Sequence, residues 1–189
     1  MRLILASASP RRKEILASAG LDFEVRPSAI YEAPLAGEPP KDYARRVARD
    51  KALSVAAGAT PGNLVVGADT IVVAGGEILG KPSDAAAAAR MLRTLSGVSH
   101  QVITGVCLVR APAELVALTH ETTAVTFRDL DEEEVTKYVA SGEPLDKAGA
   151  YGIQGLASKF VTRVEGCYFN VVGLPVALVY DLLKPFLSK

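Results

Sequence analysis

The chain lacks any imbalance of charge, has few cysteines and histidines, and contains no long apolar run. Lys plus Arg and Asp plus Glu number 21 each, so the formal net charge is zero. A dedicated DNA-binding or membrane-surface protein carries a basic excess, which is absent here, as is an aromatic, basic stripe for RNA. Its two cysteines, Cys107 and Cys167, lie far apart and outside any CxxC context. They read as reduced, buried thiols, which argues against a disulfide framework or a cysteine-bound zinc. His100 and His120 sit in β-like segments with no third ligand nearby, so they read as structural or surface residues. No stretch approaches the ~18 apolar residues of a membrane span. The apolar run at the N-terminus is too short for a signal peptide and leads into Arg11 and Arg12. The expectation is a cytoplasmic protein that binds neither membrane nor nucleic acid.

Common nucleotide and hydrolase signatures are missing too. There is no GxxxxGK[ST] phosphate loop, no GxGxxG dinucleotide fingerprint and no GxSxG elbow. A P-loop NTPase, a dehydrogenase and a serine hydrolase are therefore disfavoured. What remains is a set of cations and carboxylates, the minimal kit for metal-assisted attack of water on a phosphate.

The most informative stretch is 3–12, Leu-Ile-Leu-Ala-Ser-Ala-Ser-Pro-Arg-Arg. An apolar strand runs into a small-residue turn and then a helix. Ser9 suits the N-cap, Pro10 the first helical position, and Gly20 the stop. Ser7, Arg11 and Arg12 thus meet the free N–H groups at a helix start, an arrangement suited to an anion. The same stretch also fits an ordinary βα turn with solvated arginines.

Farther along, a short strand is predicted over 23–25, a Pro- and Gly-rich loop with Glu32 follows, and a helix over 41–57 carries Lys51. The apolar strand 64–68 delivers Asp69 and Thr70 to its end, 71–74 continues as strand, and Gly75-Gly76 makes a hairpin with 77–79. A buried strand seldom ends in a carboxylate without a partner or a cation, although an Asx turn would serve as well. Lys81 lies between Gly80 and Pro82, a weak signal by itself. Ser83 is expected to cap a helix over 84–95. Long strands follow over 101–110 and 115–127, the second half-exposed by its alternation. Asp131 and Glu134 form a capping-box pattern, and the acidic run there reads as a helix start rather than a metal site. Gly149, Gly152 and Gly155 crowd the segment around Gln154, which marks a tight bend or close backbone approach. A strand is expected over 160–164, loop and strand over 166–173, and a final helix over 175–187. No repeat, low-complexity linker or interdomain boundary is visible.

Taken in order, Ser-Ala-Ser-Pro-Arg-Arg, Gly-Ala-Asp-Thr, Leu-Gly-Lys-Pro, Tyr-Gly-Ile-Gln-Gly and Asn-Val-Val-Gly-Leu-Pro resemble the Maf family of nucleoside triphosphate pyrophosphatases. The resemblance covers essentially the whole chain. Arg12, Thr70 and Gln154 make it most similar to the dTTP/UTP pyrophosphatase branch. The 7-methyl-GTP branch differs at these positions and is the alternative within the family. A nucleotide-binding regulator of cell division that does not hydrolyse its ligand is the alternative from another class. Cys167-Tyr168-Phe169 departs from the smaller residues usual in the family, with an expected effect on packing rather than chemistry.

The resemblance implies an α/β fold, with an elongated, highly twisted mixed sheet flanked by helices. It implies one Maf-like domain over 1–189, similar to inosine triphosphatases, with two lobes around a deep central cleft, and a homodimer. It implies house-cleaning of nucleotide pools by cleavage between the α and β phosphates. Asp69 becomes the catalytic residue. Glu32 and Asp69 would share Mg²⁺, with Mn²⁺ or Co²⁺ as substitutes, and Mg²⁺ usually takes only one or two carboxylates. Ser7, Arg11, Arg12, Lys51 and Lys81 would bind the triphosphate. For specificity, the Gln154 amide can accept from the N3–H of uracil or thymine and donate to the adjacent carbonyl, a pattern that cytosine partly reverses.

Overall fold

Strands and helices alternate along the first half of the chain, and a computed structural model describes residues 1–187. The strands are β1 (Leu3–Leu5), β2 (Phe23–Val25), β3 (Leu64–Ala74), β4 (Glu77–Leu79), β5 (Ser99–Arg110), β6 (Glu114–Phe127) and β7 (Val161–Glu165). They form one seven-stranded sheet in the order β2-β1-β3-β5-β6-β7, with β4 paired to β3. β1 runs parallel to β2 and β3, whereas β4 on β3 and β7 on β6 are antiparallel, so the sheet is mixed. The helices are α1 (Pro10–Ser18), α2 (Pro40–Ala56), α3 (Ala85–Leu95), α4 (Glu132–Ala140), α5 (Tyr168–Val172) and α6 (Val176–Leu187). The expected mixed α/β class is what the chain adopts. None of these helices is long and apolar enough to cross a membrane.

The chain divides into two compact units, neither contiguous in sequence. The first contains Met1–Thr70, Thr104–Glu121 and the chain from Gly173 onward; the second contains Ile71–Ile103 and Thr122–Val172.

In the first unit α2 lies unusually close to the sheet. Ala44, Ala48, Ala52 and Ala56 recur every fourth residue, a spacing that aligns them along one face of a helix, and all are fully buried. Two strand residues opposite this stripe are glycines. A Cβ on Gly67 would lie 2.2 Å from the Ala48 carbonyl oxygen, and one on Gly105 would lie 2.1 Å from that of Ala44. Glycine inside a strand weakens it unless another backbone must come close, and here the helix backbone does. Ile4, Val65, Cys107 and Val109 complete this core.

The second unit is built around aromatic rings. Phe127 meets Tyr151 edge-on at 4.8 Å, and Tyr138 meets Phe160 at 5.4 Å. His100 is buried among them, with Nε2 2.8 Å from the Tyr151 hydroxyl, which gives it the structural role expected. The Gly75-Gly76 hairpin forms with φ of +57° and +86°, the positive pair that a two-residue turn of this kind requires. The Asp131–Glu134 capping box at the start of α4 is also present.

Several expectations are corrected. β3 is unbroken from Leu64 to Ala74, so Asp69 lies within the strand rather than at its end, and no Asx turn forms. Asp84, not Ser83, caps α3: its carboxylate accepts the Ala87 N–H at 2.6 Å, and Ser83 donates to that carboxylate at 3.2 Å. The segment 168–172 is a short helix rather than strand, despite its valines. There the Asn170 side-chain amide donates to the Val102 carbonyl and to Thr123 Oγ1, so long-range pinning overrides local β preference. Phe160 closes a 3₁₀ turn before β7 starts at Val161. Cys107 is buried as expected, but Cys167 is only half-buried; both are free thiols.

Candidate active site

The first unit gathers charged side chains around one lysine. Lys51 projects from α2, and its Nζ lies 2.7 Å from Asp69 Oδ1 on β3 and 2.9 Å from Glu32 Oε1 on the loop between β2 and α2. The contact follows from the glycine–alanine packing, which brings the α2 backbone onto β3. Lys51 and Asp69 are both buried, whereas the Glu32 side chain is 45% exposed. Burial pushes the Asp69 carboxyl above its ordinary range, and the charge and hydrogen bond of Lys51, aided by Arg12, oppose that shift. Among the described residues Asp69 Oδ2 has no hydrogen-bond partner, which leaves one carboxylate oxygen available.

A second cluster surrounds Arg12. Ser9 caps α1 by accepting the Arg12 N–H, as expected. The Arg12 guanidinium is buried and donates in three directions: Nε to the Gly173 carbonyl at 2.8 Å, Nη1 to Ser7 Oγ at 3.2 Å, and Nη2 to Thr70 Oγ1 at 2.9 Å. A guanidinium has five N–H donors, so two are left for a ligand. Thr70 Oγ1 in turn donates to the Gly173 carbonyl at 3.1 Å and bonds Thr104 Oγ1 at 2.9 Å. Burial lowers the Arg12 pKa, while Asp69 and Glu32 resist. Arg11 is half-exposed in the first turn of α1.

The loop that carries Glu32 is tied down from α2. Arg46 Nε and Nη2 grip the two oxygens of Glu38 at 2.6 and 2.7 Å, and Nη2 also reaches the Ala33 carbonyl at 2.9 Å. Ser28 Oγ bonds Ser54 Oγ at 2.9 Å near the loop's start. The Arg46 guanidinium stacks over Tyr43 at 5.5 Å. Tyr43 is buried, and burial together with the nearby charges of Asp69 and Glu32 pushes its hydroxyl up to about 12, so it stays protonated. Arg46, Tyr43, Thr104, Gly105 and Gly173 are absent from the sequence-based candidates. Of these, Gly105 carried a local signal, a glycine inside an apolar strand, and Gly173 lies in the Asn-Val-Val-Gly-Leu-Pro motif without being singled out.

Ser7, Arg12, Glu32, Lys51, Asp69 and Thr70 therefore come together in the first unit, with Arg11 on the same helix as Arg12. Lys81 and Gln154 belong to the second unit. Lys81 is exposed in the loop after β4, and Gln154 is exposed in a glycine-flanked turn. Among the described residues no group of three or more His, Cys, Asp or Glu could hold a metal ion. The Glu32–Asp69 pair is thus the available set: hard oxygen donors that converge on one cation, which suits a divalent ion needing only one or two carboxylates.

The chain is similar to known proteins over nearly its whole length. The family profile described as Maf-like protein matches residues 2–186. The chain is 56% identical over 184 residues to the dTTP/UTP pyrophosphatase of Koribacter versatilis (strain Ellin345), covering 97% of this chain and 94% of that protein. It is 55% identical over 183 residues to the dTTP/UTP pyrophosphatase of Geobacter sulfurreducens (strain ATCC 51573 / DSM 12127 / PCA), with coverage of 97% and 95%. A third dTTP/UTP pyrophosphatase, from Moorella thermoacetica (strain ATCC 39073 / JCM 9320), is 55% identical over 185 residues, with coverage of 98% and 95%. A solved nucleoside-triphosphatase / dITP/XTP pyrophosphatase from Mycobacterium abscessus has a TM-score of 0.40 and 18% identity over 69% of this chain and 76% of that one, too remote to bear on function.

Proposed function

Because the chain belongs to the Maf-like protein family, we propose that it hydrolyses dTTP and UTP to the nucleoside monophosphate and pyrophosphate. The observation that carries this reading is the buried Asp69, held 2.7 Å from Lys51 with one oxygen left open. Near-full-length identity of about 55% to dTTP/UTP pyrophosphatases supports the substrate.

Asp69 takes the proton of the water that attacks the α-phosphorus. A base whose pKa is raised by burial accepts that proton more readily near neutral pH. Lys51 holds the carboxylate in place and favours its ionised form, against the effect of burial. The triphosphate binds through Ser7, Arg11, Arg12, Lys51 and Lys81, whose charge opposes the negative charge that grows on the leaving pyrophosphate. Glu32 and Asp69 would hold a divalent cation, with Mg²⁺ the natural choice and Mn²⁺ or Co²⁺ as substitutes, and it would supply positive charge to offset that of the phosphates. Arg12 and Thr70 set the shape of the site through their shared bonds to Gly173, and Gln154 reads the base. In this reading the enzyme is a cytoplasmic homodimer.

The test is product identity. UTP incubated with the protein and Mg²⁺ yields UMP and pyrophosphate in equal amounts, separable by anion exchange. UDP and orthophosphate would contradict the reading.

A further inference from the structure

The turn that presents Gln154 is braced by residues that none of the chemistry above uses. The Gly155 N–H donates to the Gly152 carbonyl at 3.0 Å and closes the turn Gly152-Ile153-Gln154-Gly155. Tyr151 and Ile153 are buried. Gln154 is exposed, and its amide has no hydrogen-bond partner among the described residues. The turn is therefore anchored by its apolar side chains and leaves one polar group outside.

Both flanking glycines are pressed against other side chains. A Cβ on Gly155 would lie 2.1 Å from Glu143 Oε1 and 2.6 Å from Oε2, and a Cβ on Gly152 would lie 2.8 Å from Lys147 Cε. Gly155 has φ of −101°, a value open to other residues, so close approach explains this glycine. The Glu143 carboxylate accepts the Tyr138 hydroxyl at 2.9 Å on Oε1 and the Leu156 N–H at 3.0 Å on Oε2. Tyr138 is buried and held edge-on to Phe160. Lys147 Nζ donates to the Glu143 carbonyl at 2.7 Å, which fixes the base of the brace. One carboxylate thus links a fixed core ring to the first peptide group beyond the Gln154 turn.

We propose that Glu143 is a positioning residue for base selection, holding the exposed Gln154 amide in the orientation that pairs with a uracil-type edge. This rests on the reading of Gln154 as the group that contacts the base. An amide on a loose turn must be ordered each time a ligand binds, at a cost in affinity, whereas a braced turn presents it already ordered. Glu143 acts through Gln154 and touches no phosphate chemistry, so its loss should fall on KM and on the choice of base, with kcat largely kept.

The experiment uses the full-length protein with Mg²⁺ and measures pyrophosphate release from UTP and CTP for wild type, Glu143→Ala, Glu143→Gln, Gln154→Ala and the Glu143→Ala/Gln154→Ala pair. Glu143→Ala is expected to lower the UTP-over-CTP ratio of kcat/KM by about 10-fold, mostly through the KM for UTP. Glu143→Gln, which keeps one acceptor, should lose less. In the Gln154→Ala background the Glu143 substitution should have no further effect on the ratio. An equal loss of kcat on both nucleotides, or a ratio effect that persists without Gln154, overturns the proposal. So does an unchanged ratio in Glu143→Ala when Gln154→Ala alone shifts it, and in that case the reading of Gln154 survives. An unchanged ratio in Gln154→Ala overturns both. If Glu143→Ala does not fold, Glu143→Gln decides by the same criteria.

Discussion

The Lys51 ammonium lies 2.7 Å from Asp69 Oδ1, with less than a tenth of either side chain exposed. Removing one member of such a pair leaves the other charge buried and uncompensated, which costs about 3–5 kcal/mol. Lys51→Met is therefore expected to destabilise the protein by about 3 kcal/mol, and adding Asp69→Asn should restore most of the loss. Urea unfolding of the two single variants and the double variant, without added metal, measures this. Additive losses would show that the pair is not coupled.

Close packing of α2 on the sheet sets the position of Lys51. Gly67→Ala and Gly105→Ala would each drive a methyl group to just over 2 Å from a backbone oxygen of α2. Each should cost about 1–3 kcal/mol in stability and also lower turnover, because the helix that carries Lys51 must shift. Gly58→Ala meets nothing within 4 Å and serves as the neutral control. Thermal melts read alongside pyrophosphate release would check both effects.

Arg46 is expected to matter through Glu32. Its bidentate grip on Glu38 and its bond to the Ala33 carbonyl hold the loop in which Glu32 sits. Arg46→Ala should lower kcat/KM by about 10-fold, and Arg46→Lys should rescue little, because a lysine cannot reproduce the fork. In a Glu32→Gln background the loss from Arg46→Ala should largely vanish. A full additional loss in that background would assign Arg46 a separate role.

His100 gives the second unit a pH-dependent stability. Burial holds its imidazole at about 4, below the ordinary 6.5. The folded state keeps it neutral while the unfolded chain binds a proton, so its contribution is complete above pH 6.5 and is lost as pH falls from 6.5 toward 4. By pH 5 the loss should be about 2 kcal/mol. His100→Gln keeps a possible partner for the Tyr151 hydroxyl and removes the titration. The stability difference between wild type and this variant, from urea unfolding at pH 7.5 and pH 5, should shift by that amount in favour of the variant at the lower pH.

Local signals in the sequence account for much of the fold. The apolar runs at 64–68 and 71–74 and the glycine pair after them mark β3 and its hairpin, the expected helix over 41–57 is α2 (Pro40–Ala56), and Asp131 with Glu134 marks the start of α4. Ser7, Arg12, Asp69 and Thr70 lie in patterns that stood out locally, Glu32 and Lys51 entered only through the family resemblance, and folding brings all six into one unit. The limits of the two units were not legible. Three of the four fall after residues 70, 103 and 121, inside β3, β5 and β6, where no linker composition marks them, and the fourth falls after residue 172, at the end of α5. One partner of Arg12 was equally hidden, because the Gly173 carbonyl is 161 residues away and a backbone oxygen carries no side-chain signature. The Arg46 clamp lies in a run of charges that looks like any solvated helix face.

The most direct measurement is pyrophosphate release from a panel of nucleoside triphosphates with Mg²⁺, comparing wild type with Asp69→Asn. Release from dTTP and UTP above the other nucleotides, abolished in the variant while the protein stays folded, is the predicted result. Release mainly from a 7-methylated guanine nucleotide would contradict the substrate assignment. Tight nucleotide binding without any release would contradict the enzyme itself.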